Sequence, residues 1–171
     1  MNTSNKHFVY LLLGSNLGDR EENLSKAIAL LKSAGEIKTL SSVYETSPWG
    51  FNHPVPFLNR VILLWTSLNP TGLLKKIIKI ENELGRLRAP SNGYEARTID
   101  VDILFFGNNT YISKNLIIPH PKMAERKFTL TPLAEIAPDL IHPVLNKKVS
   151  QLFASCRDLG KVTLFKMVNE K

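Results

Sequence analysis

The chain alternates between apolar runs typical of β-strands and longer segments with helical spacing. Strand-like runs cover residues 8–13, 37–44, 57–66 and 97–106, and residues 162–168 alternate well enough for a final edge strand. The run at 57–66 is almost continuously apolar, which is typical of a central strand that is covered on both faces. These runs predict a β-sheet that draws on most of the chain.

Two segments between the strands have the caps and spacing of amphipathic helices. Asp19 with Glu22 has the spacing of a capping box, and the helix that follows is expected to stop at Gly35. Asn69 followed by Pro70 predicts the start of a second helix. The predicted buried stripes are Leu24, Ile28 and Leu31 in the first helix, and Leu73, Ile77, Ile80 and Leu84 in the second.

The other segments predict loops, a small hairpin and two further helices. Residues 46–56 contain three prolines and a glycine, which indicates an irregular loop. Residues 86–94 predict a basic loop, and residues 107–110 a hairpin turn. A short strand is predicted at 111–112 and helices at 127–136 and 148–155.

The order of these elements, β-α-β followed by β-α-β with a hairpin, predicts the fold class. Two helices would pack on one mostly antiparallel sheet in a ferredoxin-like α+β arrangement, and the later helices would cover its other face. A chain of 171 residues with 43% hydrophobic residues is long enough for one complete core without disulfides. We therefore expect a single domain over residues 1–171.

Composition and charge narrow the class of protein. Charged residues make up 22% of the chain, and the net charge of +7 favours anionic partners, either nucleotides or nucleic acids. The amino-terminal residues are polar, unlike a signal peptide, and no apolar run approaches the ~20 residues of a membrane span. The single cysteine, Cys156, excludes an internal disulfide. We expect a cytoplasmic monomer with no membrane partner.

A pair of aspartates lies within the strand-like run at 97–106. Asp100 and Asp102 alternate with apolar residues, so their side chains share one face of the strand, about 6.6 to 6.8 Å apart along it. Carboxylates at this spacing offer oxygen ligands to one or two Mg²⁺ ions that also bind water and substrate phosphates. The alternative is an edge strand whose solvated acids discourage aggregation. Leu104 and Phe106 are predicted on the carboxylate face, and Ile99, Val101 and Ile103 on the opposite one.

Other candidate residues have both a structural and a functional interpretation. Glu81 falls inside the buried stripe of the second helix, where a carboxylate needs a partner or a ligand. Residues 14–18 lack the Gly-Lys-Ser/Thr of a P-loop, so a tight strand-to-helix turn is the simpler interpretation. His120, between two prolines, is interpreted as a donor that faces a ligand. By default, Trp49, Phe57 and Phe128 are core aromatics, and Arg86, Arg88, Arg97 and Arg126 are solvated charges.

An ordered set of motifs changes these interpretations. The motifs are Gly14-Ser15-Asn16-Leu17-Gly18-Asp19, Tyr44-Glu45-Thr46-Ser47-Pro48-Trp49-Gly50, Phe57-Leu58-Asn59, Glu81-Asn82-Glu83-Leu84-Gly85-Arg86, Ala96-Arg97-Thr98-Ile99-Asp100-Val101-Asp102-Ile103-Leu104 and Ile118-Pro119-His120-Pro121. In this order, over residues 8–154, the chain resembles the 6-hydroxymethyl-7,8-dihydropterin pyrophosphokinases, enzymes of folate biosynthesis. The tail beyond Phe153 matches no part of the resemblance.

The resemblance implies a reaction and roles for charged residues. A pyrophosphoryl group would pass from ATP to the hydroxymethyl group of the dihydropterin, leaving AMP. Asp100 and Asp102 would hold two Mg²⁺ ions that bridge ATP and the pterin alcohol. Arg86 and Arg97 would stabilise the transferred group, so that catalysis rests on positioning and electrostatics.

The resemblance also implies where the two substrates bind. The pterin would stack between Phe57 and Phe128. Asn59 would read the hydrogen-bonding edge of the ring, together with backbone groups of Thr46 and Pro48. The residues expected to contact ATP are Glu81, Arg88, Tyr94, Ile103, His120 and Arg126.

Two alternatives belong to other functional classes. Ferredoxin-like domains that bind RNA expose aromatic and basic residues on their sheet, and this chain is basic. The aspartate pair argues against RNA binding because, without metal, the two carboxylates would repel a phosphate backbone. We therefore expect no nucleic-acid partner. A non-catalytic pterin or nucleotide sensor would require the aspartate pair to be idle.

Overall fold

One main sheet with helices on both faces makes up the part of the protein that the computed structural model describes, residues 6–86 and 95–168. The strands are β1 His7–Ser15, β2 Glu36–Leu40, β3 Val43–Thr46, β4 Phe57–Thr66, β5 Asp100–Phe106, β6 Tyr111–Ile112, β7 Ile117–Ile118 and β8 Val162–Lys166. The helices are α1 Arg20–Leu31, α2 Pro70–Glu83, α3 Lys127–Ile136 and α4 Val149–Ser155, with a short 3-10 helix at Met123–Glu125.

The main sheet has the order β5-β1-β4-β3-β8, and β2 and β3 pair with successive parts of β4. All of its pairings are antiparallel, which confirms the predicted mostly antiparallel α+β fold. The bounds of β4 agree with the predicted central strand at 57–66. The predicted short strand at 111–112 is confirmed as β6, but it pairs with β7 in a separate two-stranded sheet and not with β5, so the turn at 107–110 does not close the predicted hairpin.

Two apolar layers hold the helices on opposite faces of the sheet. Leu31 of α1 and Ile77 of α2 belong to one buried cluster, whereas Leu133 of α3 and Val149 of α4 belong to the other. The predicted caps are confirmed, since Asp19 accepts from the Glu22 N–H at 2.9 Å. In the described residues, no helix has the length and apolar character needed to cross a bilayer.

The second predicted strand, residues 37–44, is divided in the structure. Strands β2 and β3 are separated by Ser41 and Ser42, which are both buried. The Ser41 hydroxyl accepts from the Val61 N–H at 2.9 Å, and the Ser42 N–H donates to the Glu135 carboxylate at 3.0 Å. Because side chains take over these backbone hydrogen bonds, the regular ladder is interrupted. The sequence prediction of one continuous strand was therefore wrong.

Strand β5 contains a bulge that corrects the prediction for Phe106. Leu11 pairs with Ile103 and Tyr10 with Phe105, so Leu104 is the extra residue on β5. Beyond a bulge the side chains exchange faces. Leu104 stays on the face of the aspartates as predicted, but Phe106 packs in the cluster of α1 and α2.

The cap of α2 provides a test of the fold. Asn69 accepts from the Gly72 N–H at 2.7 Å through its side-chain oxygen. Removing this acceptor in Asn69→Ala is expected to lower the free energy of unfolding by about 1 kcal/mol. Urea unfolding measures the change. The control is Asn82→Ala, an exposed position in the same helix, where alanine should be neutral or slightly stabilising. Equal losses for both variants would contradict the cap.

Candidate active site

A cavity of about 340 Å³ opens on the face of the sheet that carries α3 and α4. Its floor comes from neighbouring strands, because Asp100 of β5 lies opposite Gly14 of β1, and Gly14 lies opposite Asn59 of β4. A Cβ atom at Gly14 would lie 2.6 Å from the Asn59 Oδ1 atom. Glycine at this position therefore leaves room for the amide of Asn59 in the floor of the cavity.

One end of the cavity is aromatic. Phe57, Phe128 and Trp49 line it, and the Arg126 guanidinium lies 4.6 Å from the ring centre of Trp49 and 5.6 Å from that of Phe128. The Asn59 amide donates to the Thr46 hydroxyl at 2.6 Å. This bond fixes the orientation of the amide beside the aromatic rings, which suits recognition of a flat polar ring.

The other end of the cavity is charged. Arg86 donates to Asp100 at 2.5 Å, and Arg97 donates to the second oxygen of the same carboxylate. Arg86 also pairs with Glu81, whose carboxylate accepts from the Val101 N–H at 2.9 Å. Glu81 is only 1% exposed. Its position in the buried stripe of the helix requires a partner for the carboxylate, and its partners include Arg86 and the backbone of β5.

Asp102 has a different environment from Asp100. Within residues 6–86 and 95–168, no hydrogen bond or salt bridge reaches its carboxyl group. Burial and the neighbouring Asp100 raise the pKa of Asp102 to about 7, although Arg126 and Arg97 oppose the shift. The carboxyl group is therefore short of positive charge.

Asp100 and Asp102 offer the carboxylate oxygens of this cavity to a metal ion. In the described part of the chain, no group of three or more His, Cys, Asp and Glu residues is arranged to hold a metal. Two carboxylates fit Mg²⁺, which completes its shell with water and substrate phosphates. Within the described residues Asp102 has no salt bridge, whereas Asp100 has both oxygens in contact with arginines. A cation at Asp100 would therefore compete with the arginines for the same two oxygens.

His120 lines the cavity between the two ends. Burial, together with the nearby Arg126, lowers the pKa of His120 to about 4, so the ring is neutral at pH 7. Its ring Nδ1 atom accepts from the Lys122 backbone N–H at 3.2 Å, and the backbone N–H of His120 donates to the Leu104 carbonyl at 3.0 Å. With Nδ1 as an acceptor, the proton of a neutral ring resides on Nε2. This arrangement agrees with a histidine that donates to a ligand.

The structure brings most of the predicted site residues together. Those that line the cavity are Thr46, Phe57, Asn59, Arg86, Arg97, Asp100, Asp102, His120, Arg126 and Phe128. Glu81 and Ile103 are buried and do not line it, and Ile103 packs in the apolar layer of α1 and α2 on the other face of the sheet. Pro48 lines a smaller adjacent cavity of about 100 Å³. Arg88 and Tyr94 lie outside the described residues, so their predicted ATP contacts stay predictions.

Several cavity residues were missed by sequence reasoning. They are Leu12, Gly14, Trp49, Phe51, Pro121 and Lys122. Trp49 stands between Pro48 and Gly50 in an irregular loop, where an aromatic residue has no strand or helix to pack it. That context was an available signal, since binding residues concentrate on loops held by a rigid scaffold. The default interpretation of Trp49 as a core aromatic was wrong.

Comparison with known proteins identifies the family. A model of the 7,8-dihydro-6-hydroxymethylpterin-pyrophosphokinase family matches residues 10–138. The chain belongs to this family. It is 48% identical over 132 residues to the 2-amino-4-hydroxy-6-hydroxymethyldihydropteridine pyrophosphokinase of Bacillus subtilis, covering 76% of this chain and 78% of the relative.

Longer proteins contain similar regions. Folic acid synthesis protein fol1 of Pneumocystis carinii is 41% identical over 159 residues, which is 92% of this chain and 21% of that protein. The wild-type HPPK-DHPS of Plasmodium falciparum, solved with STZ-DHP, superposes with a TM-score of 0.73 at 19% identity. That match covers 90% of this chain and 44% of the solved one, so the chain spans less than half of its length. At this identity the likeness supports the fold alone.

The buried carboxylate of Glu81 provides a test of the charged end. In Glu81→Ala the Val101 N–H loses its acceptor and Arg86 loses one of its partners. We expect the free energy of unfolding to fall by about 2 to 4 kcal/mol. Glu83→Ala, an exposed position on the same helix, should stay within ~0.5 kcal/mol of the unmodified protein. Urea unfolding of both variants makes the comparison, and similar stabilities would refute a structural role for Glu81.

Proposed function

We propose that this protein transfers a pyrophosphoryl group from ATP to the hydroxymethyl group of 6-hydroxymethyl-7,8-dihydropterin and releases AMP. The observation that carries the proposal is a single cavity with two carboxylates and two arginines at one end and aromatic rings with a fixed amide at the other. The family and the name of the Bacillus subtilis relative support the same reaction.

The aromatic end would bind the pterin. Phe57 and Phe128 provide apolar surfaces for a flat ring, and stacking leaves the edges of the ring free for hydrogen bonds. Asn59 is held by Thr46, so its remaining donor and acceptor would read those edges together with backbone groups of Thr46 and Pro48. A fixed amide would orient the hydroxymethyl group toward the charged end.

The charged end would bind the phosphates through Arg86 and Arg97. In the free protein both guanidinium groups contact Asp100. A triphosphate carries more negative charge than one carboxylate and accepts forked hydrogen bonds from guanidinium groups. We expect the arginines to move from Asp100 to the transferred phosphates when nucleotide binds. There they would stabilise the charge that develops in the transition state.

Asp100 and Asp102 would hold two Mg²⁺ ions. When bound, Mg²⁺ supplies charge stabilisation to the phosphates and makes the pterin alcohol easier to deprotonate. Asp102 has no salt bridge among the described residues, so its oxygens would be available to a cation. Departure of the arginines would make the oxygens of Asp100 available as well.

The remaining predicted residues would hold ATP around this centre. His120 would donate a hydrogen bond from its neutral ring. The buried Glu81 would hold Arg86 and β5 together beneath the nucleotide. The residues proposed to hold ATP, either by contact or by supporting those that contact it, are Glu81, Arg88, Tyr94, Ile103, His120 and Arg126.

The identity of the nucleotide product tests the proposed reaction. Protein, ATP, Mg²⁺ and 6-hydroxymethyl-7,8-dihydropterin are mixed, and the nucleotides are separated over time. AMP and pterin diphosphate are expected in equal amounts. ADP in place of AMP would mean transfer of a single phosphoryl group and would exclude pyrophosphoryl transfer. Binding of both compounds without any product would favour a sensor.

Removal of Arg97 tests its role in stabilising the transferred group. Arg97→Ala is expected to lower kcat by roughly 10²- to 10³-fold, because one oriented donor to the transition state is lost. Lys75→Ala is the control, since it removes one positive charge from an exposed position on α2, away from the cavity. A loss of less than about threefold for Arg97→Ala, or an equal loss for Lys75→Ala, would assign Arg97 no role in catalysis.

Neutralising Asp100 tests the metal assignment. Asp100→Asn should strongly reduce Mg²⁺-dependent turnover but leave the affinity for the pterin nearly unchanged, because Asp100 lies at the charged end of the cavity. Turnover is titrated with Mg²⁺, and pterin binding is measured by calorimetry. Asp139→Asn, at an exposed aspartate, is the control. An unchanged Mg²⁺ dependence in Asp100→Asn would count against this residue as a ligand.

A further inference from the structure

The C-terminal segment, residues 156–168, lies beyond the residues that match the family model. Strand β8 in this segment pairs with β3, the strand that ends at Thr46 in the cavity wall. Thr46 itself lies opposite Val162 in that pairing. The segment therefore extends the sheet directly beside the aromatic end of the cavity.

Asp158 in this segment caps α3. The residue at the usual cap position, Arg126, provides no side-chain hydrogen bond to the helix. Instead Asp158 accepts from the Lys127 N–H at 2.9 Å and from the Gly160 N–H at 2.9 Å, one through each carboxylate oxygen. A carboxylate at a helix N-terminus satisfies a free donor and interacts favourably with the helix dipole. Asp158 thereby fixes the first turn of α3, where Phe128 lies.

The backbone of Lys161 binds Ser47, which also lines the cavity. The Ser47 N–H donates to the Lys161 carbonyl at 3.1 Å, and the Lys161 N–H donates to the Ser47 hydroxyl at 3.1 Å. Ser47 lies between Thr46 and Pro48, the residues whose backbone would read the pterin edge. The reciprocal pair fixes the course of the chain at the start of the irregular loop.

We propose that Asp158 is a positioning residue for the pterin end of the active site. Through its cap on α3, and through the Lys161 pair that follows it, the C-terminal segment fixes the spacing between Phe128 and the wall at Ser47. The small cavity between the segment and these walls is lined by both Phe128 and Asp158, as expected for a support behind the binding surface. This inference rests on the proposed function, because it assigns the aromatic end to the pterin.

The test uses the full chain with Asp158→Ala. Loss of the cap frees the first turn of α3, so we expect the KM for the dihydropterin to rise about three- to tenfold. The KM for ATP and the kcat at saturating dihydropterin should change by less than about twofold, because the charged end is intact. Calorimetric binding of the dihydropterin should weaken by the same factor as the KM rises.

Two further variants separate positioning from general destabilisation. Asp158→Asn retains one side-chain oxygen and should recover part of the affinity for the dihydropterin. Asp139→Ala removes an exposed aspartate that pairs with Lys148, and should leave every constant unchanged. Thermal unfolding of each variant identifies an assay temperature at which that variant is folded. If Asp158→Ala does not fold, Asp158→Asn is measured in its place.

The outcomes distinguish this inference from the proposed function. A selective rise in the dihydropterin KM supports a positioning role for Asp158. An unchanged KM in a folded variant, or equal changes in both KM values and kcat, would overturn it and leave the proposed function intact. If the unmodified protein forms no pterin diphosphate, the proposed function fails first, and the role of Asp158 fails with it.

Discussion

The contact between Asp100 and two arginines is the interaction on which the charged end of the cavity depends. Buried ions are stable only when their charges are compensated, and removal of one partner is costly. Asp100 bridges Arg86 and Arg97, and Glu81 supports Arg86 from below while it binds the backbone of β5. Helix α2, strand β5 and the loop before β5 are thus joined at one point. These contacts also keep the arginines where a phosphate chain would meet them. The groups that stabilise the free protein would therefore also bind an anionic substrate.

The aromatic end depends on a different constraint, the rigidity of the sheet and of the segments attached to it. Gly14 leaves space for Asn59, and Thr46 fixes the amide in one orientation. Phe128 stands on a helix whose first turn is capped by Asp158. In the proposed reaction, the charged end would exchange its partners, whereas the aromatic end keeps a fixed geometry. This division suits a reaction in which the nucleotide brings charge and the acceptor must be aligned.

Local signals in the sequence predicted much of this structure. The apolar run of β4, the Asn69 cap of α2 and the conflict of Glu81 with its buried stripe all depend on neighbours within one turn or one strand, and the structure agrees with them. The bulge at Leu104, the break at Ser41 and the cap from Asp158 were not predicted. Each arises from hydrogen bonds between residues that are distant in the chain, for example 31 positions between Lys127 and Asp158. Periodicity and cap motifs carry no information about such partners. The roles of the site residues came from the ordered motifs of the family rather than from spacing alone.

Binding of Mn²⁺, used in place of Mg²⁺, tests most directly whether the arginines hold Asp100 until nucleotide arrives. Electron paramagnetic resonance of Mn²⁺ counts bound ions in the free protein and in its complex with a non-hydrolysable ATP analogue. We expect weak binding to the free protein, because both oxygens of Asp100 are in contact with guanidinium groups. With the analogue we expect two tightly bound ions per protein, and a loss of at least one of them in Asp100→Asn. Two equally tight ions in the free protein would show that the arginines do not control access to this carboxylate, and would contradict the charge exchange on which the proposed reaction depends.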